Sequence, residues 1–154
     1  MFRIMLATDG SPRALKAARY TADLCAALRE PAVTILFVKE LSVSMFAVPG
    51  VGTPDEMVFP SGPLDWTKVQ DSLEAAAQKA LADTNKAFEG VDAPITLMKE
   101  IGKPADVICA TAEKEGFDLI VIGSRGLGEI RGLVLGSVSN HVVHRAKVPV
   151  LVVH

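Results

Sequence analysis

Cysteine is nearly absent from this chain: there are two in 154 residues, Cys25 and Cys109, and no Cys-x-x-Cys. Neither a redox motif nor a cysteine zinc site is indicated. Both fall within helical patterns, where they read as small apolar side chains on buried faces. Long hydrophobic runs are missing as well. No stretch of about 18 apolar residues occurs, and no N-terminal segment has the apolar length of a secretion signal. The expectation is a cytoplasmic protein with no membrane insertion. Charge of one sign is also lacking: Lys and Arg total 16 against 18 Asp and Glu, a net charge of −2. Without a basic block to track phosphates along a strand, nucleic acid is not an expected partner.

Chemistry-bearing clusters are equally sparse. Of the three histidines, His141 and His144 stand three apart on a helical stretch with no acid or cysteine beside them. They read as a solvated or dimer-facing pair, and His154 is the last residue. There is no Gly-x4-Gly-Lys-Ser/Thr, so no P-loop ATPase is expected. The run Gly126-x-Gly128-x3-Gly132 is one residue too long for a dinucleotide fingerprint and follows the wrong strand.

What is present is strand–helix alternation along a single domain spanning residues 1–154, with 49% hydrophobic and 22% charged residues. Strands are expected at Phe2 to Ala7, Val33 to Val38, Pro94 to Ile101, Leu119 to Ile122 and Val148 to Val153. The fourth is apolar without alternation, as for a strand buried on both faces. Pro12 and Pro104 sit where helices begin. Leu15, Ala18, Ala22, Cys25 and Ala26 give the first helix an apolar face. Trp66, Val69, Leu73, Ala76, Ala80, Thr84 and Phe88 do the same for the second. Ala105, Ile108 and Ala112 mark the third helix, and Val138 to Arg145 the fourth. The alternation predicts a parallel sheet with helices on both faces. The exception is a Pro/Gly-containing loop at about 40–63, expected to be mobile.

The most informative stretch follows the fourth strand: Gly123-Ser124-Arg125-Gly126, nine residues, then Gly136-Ser137-Val138-Ser139. Glycines at this spacing let a backbone wrap closely, and Gly136-Ser137 opens a helix whose free N–H groups and dipole suit an anion. The opening strand delivers Asp9-Gly10-Ser11, and Gly102-Lys-Pro104 stands in mid-chain. Each piece also has a plainer reading. Asp9 could cap the first helix or order the Asp-Gly-Ser turn. The glycines could serve ordinary turns, and Arg125 and Arg131 could be solvated loop residues.

Taken together, the Asp9 block, the Gly102 block, the spacing Gly-x-x-Gly-x9-Gly-Ser and the closing Lys147-Val-Pro149-Val-Leu-Val-Val resemble the ATP-binding subgroup of the universal stress protein family. The resemblance implies a flavodoxin-like, Rossmann-like three-layer sandwich with strand order 3-2-1-4-5. It implies ATP as cofactor, with ADP or AMP as alternatives, and Mg²⁺ carried by the nucleotide. Phosphates would lie over Gly126 to Ser139, held by N–H groups, the hydroxyls of Ser137 and Ser139, and the Arg125 guanidinium. Asp9 would face the ribose or the metal, and Ala7, Val38 and Ile122 the adenine, with Gly123, Ser124 and Val138 completing the contact set. The last strand would be a sheet edge, apolar throughout, which predicts a homodimer through Val148 to Val153. A small regulatory or protective stress-response domain with an unidentified protein partner is the expected function. A slow Mg-dependent ATPase or phosphate-transferring relative is the alternative, weakened by the lack of a general base near Asp9. A third reading, a dimeric interaction protein without nucleotide, is weakened by the intact glycine loop.

Overall fold

The first strand, β1 (Phe2–Ala7), carries Ile4, Met5 and Leu6 with no exposed surface, so consecutive side chains are buried on opposite faces. The computed structural model describes residues 1–40, 66–127 and 135–154. The loop expected to be mobile lies outside them from residue 41, and Arg131 lies outside them too. Chain order is β1, α1 (Pro12–Ala27), β2 (Pro31–Lys39), α2 (Trp66–Asn85), a 3₁₀ turn (Lys86–Phe88), β3 (Ile95–Ile101), α3 (Pro104–Glu115), β4 (Leu119–Gly123), α4 (Ser137–Arg145) and β5 (Val150–Val153).

The five strands form one sheet of order β3-β2-β1-β4-β5, and every neighbouring pair is parallel. The expected three-layer architecture is therefore present, with one buried cluster on each face. Ile4, Leu6, Val33, Ile35 and Val121 meet Ala17, Ala18 and Cys25 of α1 and Leu81 of α2. Met5, Ala7, Leu36, Ile120 and Ile122 meet Ile108 and Ala112 of α3 and Val142 of α4. Burial pushes the Cys25 thiol up from its ordinary value.

Two helical faces differ from the expectation by one position. In α1 the buried residues are Ala14, Ala17, Ala18, Thr21 and Cys25, while Ala26 is exposed. In α2, Ala77 is buried in place of Ala76 and Leu81 joins Ala80 and Thr84. Strand β5 begins at Val150 and not Val148, because Pro149 has no N–H to give to a ladder. Its carbonyl still accepts from Ile120 N at 2.9 Å.

Element ends are set by side chains that the sequence places there. Ser11 caps α1, its hydroxyl accepting from Ala14 N at 3.2 Å, with Pro12 as the first helical residue. Helix α3 stops at Gly116, which adopts φ +69 so that Phe117 N can return to the Ala112 carbonyl at 3.0 Å. Helix α2 is tied to the end of the sheet by Glu74, which binds Lys39 of β2 and Lys99 of β3. These two ammonium groups, Lys39 foremost, hold the Glu74 carboxyl at about 2.

Candidate functional site

In an open parallel sheet of this order the succession of strands reverses at β1, with β2 and β3 on one side and β4 and β5 on the other. Ligands of such sheets lie outside the C-terminal strand ends at that switch point, here β1 and β4. The register aligns Ala7 with Leu36 on one side and Ile122 on the other. Ala7 and Ile122 are 6% and 7% exposed and belong to the cluster under α3 and α4. Val38, two residues further along β2, packs against the same cluster and pairs with Glu100. Val138 of α4 joins them. Ala7, Val38 and Ile122 thus share one face of the sheet, and Val138 packs against that face from α4.

Asp9 stands just past the C-terminal end of β1. Its Oδ1 accepts from Ser11 N at 3.0 Å and its Oδ2 from Leu127 N at 2.9 Å. The turn reading of Asp9 therefore holds, while the cap of α1 is Ser11. Next to it, a directed hydroxyl chain runs into α2. Thr84 Oγ1 donates its proton to the Ala80 carbonyl at 2.7 Å. Thr8 must then donate to Thr84, 2.8 Å away, and it accepts from Gly10 N at 3.2 Å.

Beyond β4 the loop closes on itself. Ser124 is 1% exposed: its N–H donates to Val153 O at 2.8 Å, and its carbonyl accepts from Gly136 N at 2.7 Å and from Ser139 Oγ at 2.8 Å. Arg13 of α1 donates to Ser124 Oγ at 3.4 Å. The Ser11 hydroxyl reaches Arg125 O at 3.5 Å. Ser139, expected to offer its hydroxyl to a phosphate, is 2% exposed and directs that proton at the Ser124 and Gly136 carbonyls. Its side chain ties the first turn of α4 to the segment after β4. Ser137, in contrast, is exposed.

Gly123 and Gly126 have a steric reason to be glycine, and the surroundings of Gly136 are tight. A Cβ on Gly123 would lie 2.9 Å from the Arg13 carbonyl carbon and 3.0 Å from Ala14 N, so β4 ends in direct contact with the first turn of α1. A Cβ on Gly126 would lie 2.3 Å from Asp9 Oδ2. One on Gly136 would lie 3.3 Å from Arg125 Cα and 3.5 Å from Ser124 O. Gly136 is the cap residue of α4 and has no side chain to accept from the helix's first N–H groups. Those groups lack intrahelical partners in any helix. Arg13 and Thr84 belong to no motif, and only the fold brings them near Asp9 and Ser124; Thr8 adjoins Asp9 in sequence, but its bond to Thr84 is not legible there.

Among the described residues no group of three or more His, Cys, Asp or Glu could hold an ion. His141 and His144 are exposed, and His144 Nδ1 lies 2.8 Å from the Asn140 carbonyl.

A parallel sheet whose strand order switches at β1, with the Asp9 turn and the segment after β4 meeting at its C-terminal edge, defines an α/β protein of the doubly wound class. The chain belongs to the universal stress protein family, whose profile matches residues 1–154. It is 32% identical over 151 residues to Universal stress protein MJ0531 of Methanocaldococcus jannaschii, covering 98% of this chain and 81% of that one. Universal stress protein Rv2005c of Mycobacterium tuberculosis is 35% identical over 89 residues, 58% of this chain and 29% of that longer protein. The fold is similar to universal stress protein UspA from Lactobacillus plantarum, with a TM-score of 0.78, 22% identity and coverage of 99% and 97%. It is also similar to an Arabidopsis thaliana family member with AMP bound, with a TM-score of 0.66, 20% identity and coverage of 99% and 91%. No helix among the described residues is long and apolar enough to cross a membrane.

Proposed function

We propose that this chain is an adenine-nucleotide-binding regulatory stress protein, with ATP as its ligand and the cytoplasm as its place of action. The observation that carries the reading is the start of α4. A glycine occupies the cap position and makes no side-chain bond to the first turn, where the N–H groups of residues 137–139 have no intrahelical partners. A helix N-terminus in this form offers several donors and a positive dipole end to one phosphate group. The apolar floor of Ala7, Val38, Ile122 and Val138 suits a purine ring, and AMP bound in the Arabidopsis neighbour is in keeping with it. Asp9 has accepted two N–H bonds, so its carboxylate has lone pairs left for a ribose hydroxyl. Mg²⁺ would arrive on the triphosphate and not on a cluster of protein carboxylates. Slow hydrolysis has no observation in its favour.

The half-buried Arg125 supplies the cation that distinguishes a triphosphate from a nucleoside. Arg125→Ala is expected to weaken ATP binding on the order of tenfold or more and to leave adenosine binding within about twofold, since a charge-assisted hydrogen bond is worth about 1.5–3 kcal/mol. Calorimetric titration of protein stripped of bound ligand measures both. Wild-type protein that takes up neither ATP nor AMP at millimolar concentration refutes the reading.

The open edge of β5 supports a homodimer in which this strand pairs with its symmetry mate. Leu151 packs into the α1 face and Val150 and Val152 into the other, so pairing would run through backbone groups and not through these side chains. Light scattering at micromolar concentration is expected to give twice the chain mass. A monomer there removes the proposal.

A further inference from the structure

The carboxylate of Asp9 does something that a ribose ligand need not do. Residues 8–11 and residues 124–127 are separated by more than a hundred positions, and Asp9 joins them through Leu127 N at 2.9 Å. Its other oxygen is held by Ser11 N at 3.0 Å, so the side chain cannot swing without giving up a bond at one end or the other. Behind Asp9, Thr8 is anchored to Thr84 of α2 and Ser11 is buried at 1% exposure. The carboxylate therefore projects from a rigid turn onto a loop. Gly126 records the same contact from the other side: its Cβ would fall 2.3 Å from Asp9 Oδ2, where no heavy atom can sit.

We propose that Asp9 is a positioning residue for the glycine loop: its carboxylate, clasped between Ser11 N and Leu127 N, sets Gly126 and Leu127 in place before any nucleotide arrives, and Gly126 is glycine to admit that carboxylate. The consequence for affinity rests on the nucleotide-binding reading above; the clasp itself does not. Asparagine is not a conservative substitute here. Both backbone partners are donors, and an amide offers one acceptor oxygen and one NH₂, so one of the two contacts must be lost. A ribose hydroxyl, which both donates and accepts, would tolerate asparagine far better.

Amide hydrogen exchange on ligand-free protein reads the clasp directly. Asp9→Ala is expected to speed exchange at Leu127 by roughly ten- to a hundredfold, the worth of a hydrogen bond to a charged group. Asp9→Asn is expected to speed exchange at Leu127 or at Ser11, whichever amide faces the NH₂, while amides of β1 and β4 keep their wild-type rates and show that the fold is intact. Nucleotide titrations of Gly126→Ala, Asp9→Ala and the double variant supply a second, independent reading. Residues in one contact are non-additive, so Gly126→Ala is expected to cost affinity in the wild type and add less than about twofold in the Asp9→Ala background. Unchanged Leu127 exchange in both Asp9 variants, or fully additive costs, overturns the proposal. Should wild-type protein bind no nucleotide while Leu127 exchange still answers to Asp9, the clasp stands and the nucleotide reading falls.

Discussion

Gly136→Val is expected to lower ATP affinity at least a hundredfold while the far-ultraviolet circular dichroism stays close to that of the wild type. The backbone at Gly136 has φ −72 and ψ 165, which any residue adopts, so the substitution introduces no backbone strain. What it introduces is volume. The new Cβ meets Arg125 Cα at 3.3 Å and the Ser124 carbonyl at 3.5 Å, and the two Cγ atoms of valine extend beyond it. They must either press Arg125 outward or cover the N–H groups of residues 137–139, and both alternatives spoil the anion cradle. Losing two charge-assisted hydrogen bonds of about 1.5 kcal/mol each corresponds to on the order of a hundredfold. The helix has no need of glycine at this point, because most N-caps carry a side chain. Calorimetric titration measures the loss, and valine protein that binds ATP within a few-fold of wild type would place the phosphates somewhere other than the start of α4.

The sheet was legible because its strands are short apolar runs that differ sharply from what surrounds them. Leu119 to Ile122, apolar without alternation, reads as a strand buried on both faces, and Ile120, Val121 and Ile122 are buried in β4. Helix faces were harder to read in α1 and α2, where alanine fills both the buried and the exposed positions. Ala76 and Ala77 carry the same side chain, so periodicity could not tell which of them meets the core; the fold buries Ala77. The glycine loop was legible as a pattern but not as a set of contacts. Nothing local to Gly126 says that Asp9 lies against it, and nothing local to Ser139 says that its hydroxyl turns inward to Ser124. Such facts belong to pairs of residues remote in sequence, which spacing alone does not encode. The strand order itself came from resemblance and not from pattern, and with it the meeting of Asp9 and the β4 loop.

Gly123 separates architecture from ligand binding most sharply. Gly123→Val is expected to destabilise the fold by about 3 kcal/mol or more, above the usual range of about 1–3 kcal/mol for overpacking, because the obstruction is backbone on both sides. A Cβ here lies 2.9 Å from the carbonyl carbon of Arg13 and 3.0 Å from both Arg13 O and Ala14 N. None of these atoms can rotate away as a side chain would. Relief requires α1 to lift from the end of β4, which breaks the seat of Ser11 as cap, since its hydroxyl holds Ala14 N, and loosens the Arg13 contact with Ser124. It also strains the last rung of the sheet, where Ser124 N donates to Val153 O at 2.8 Å. With a urea slope of about 1–3 kcal/mol per M for a chain of ordinary size, the midpoint should fall by about 1 M or more. Gly123→Ala should move in the same direction by a smaller amount, because the Cβ alone already makes the close contacts. Equilibrium urea unfolding followed by circular dichroism tests this without any nucleotide present. A valine variant with an unchanged midpoint would show that α1 and β4 can part without cost, and Gly123 would then have to owe its place to a ligand.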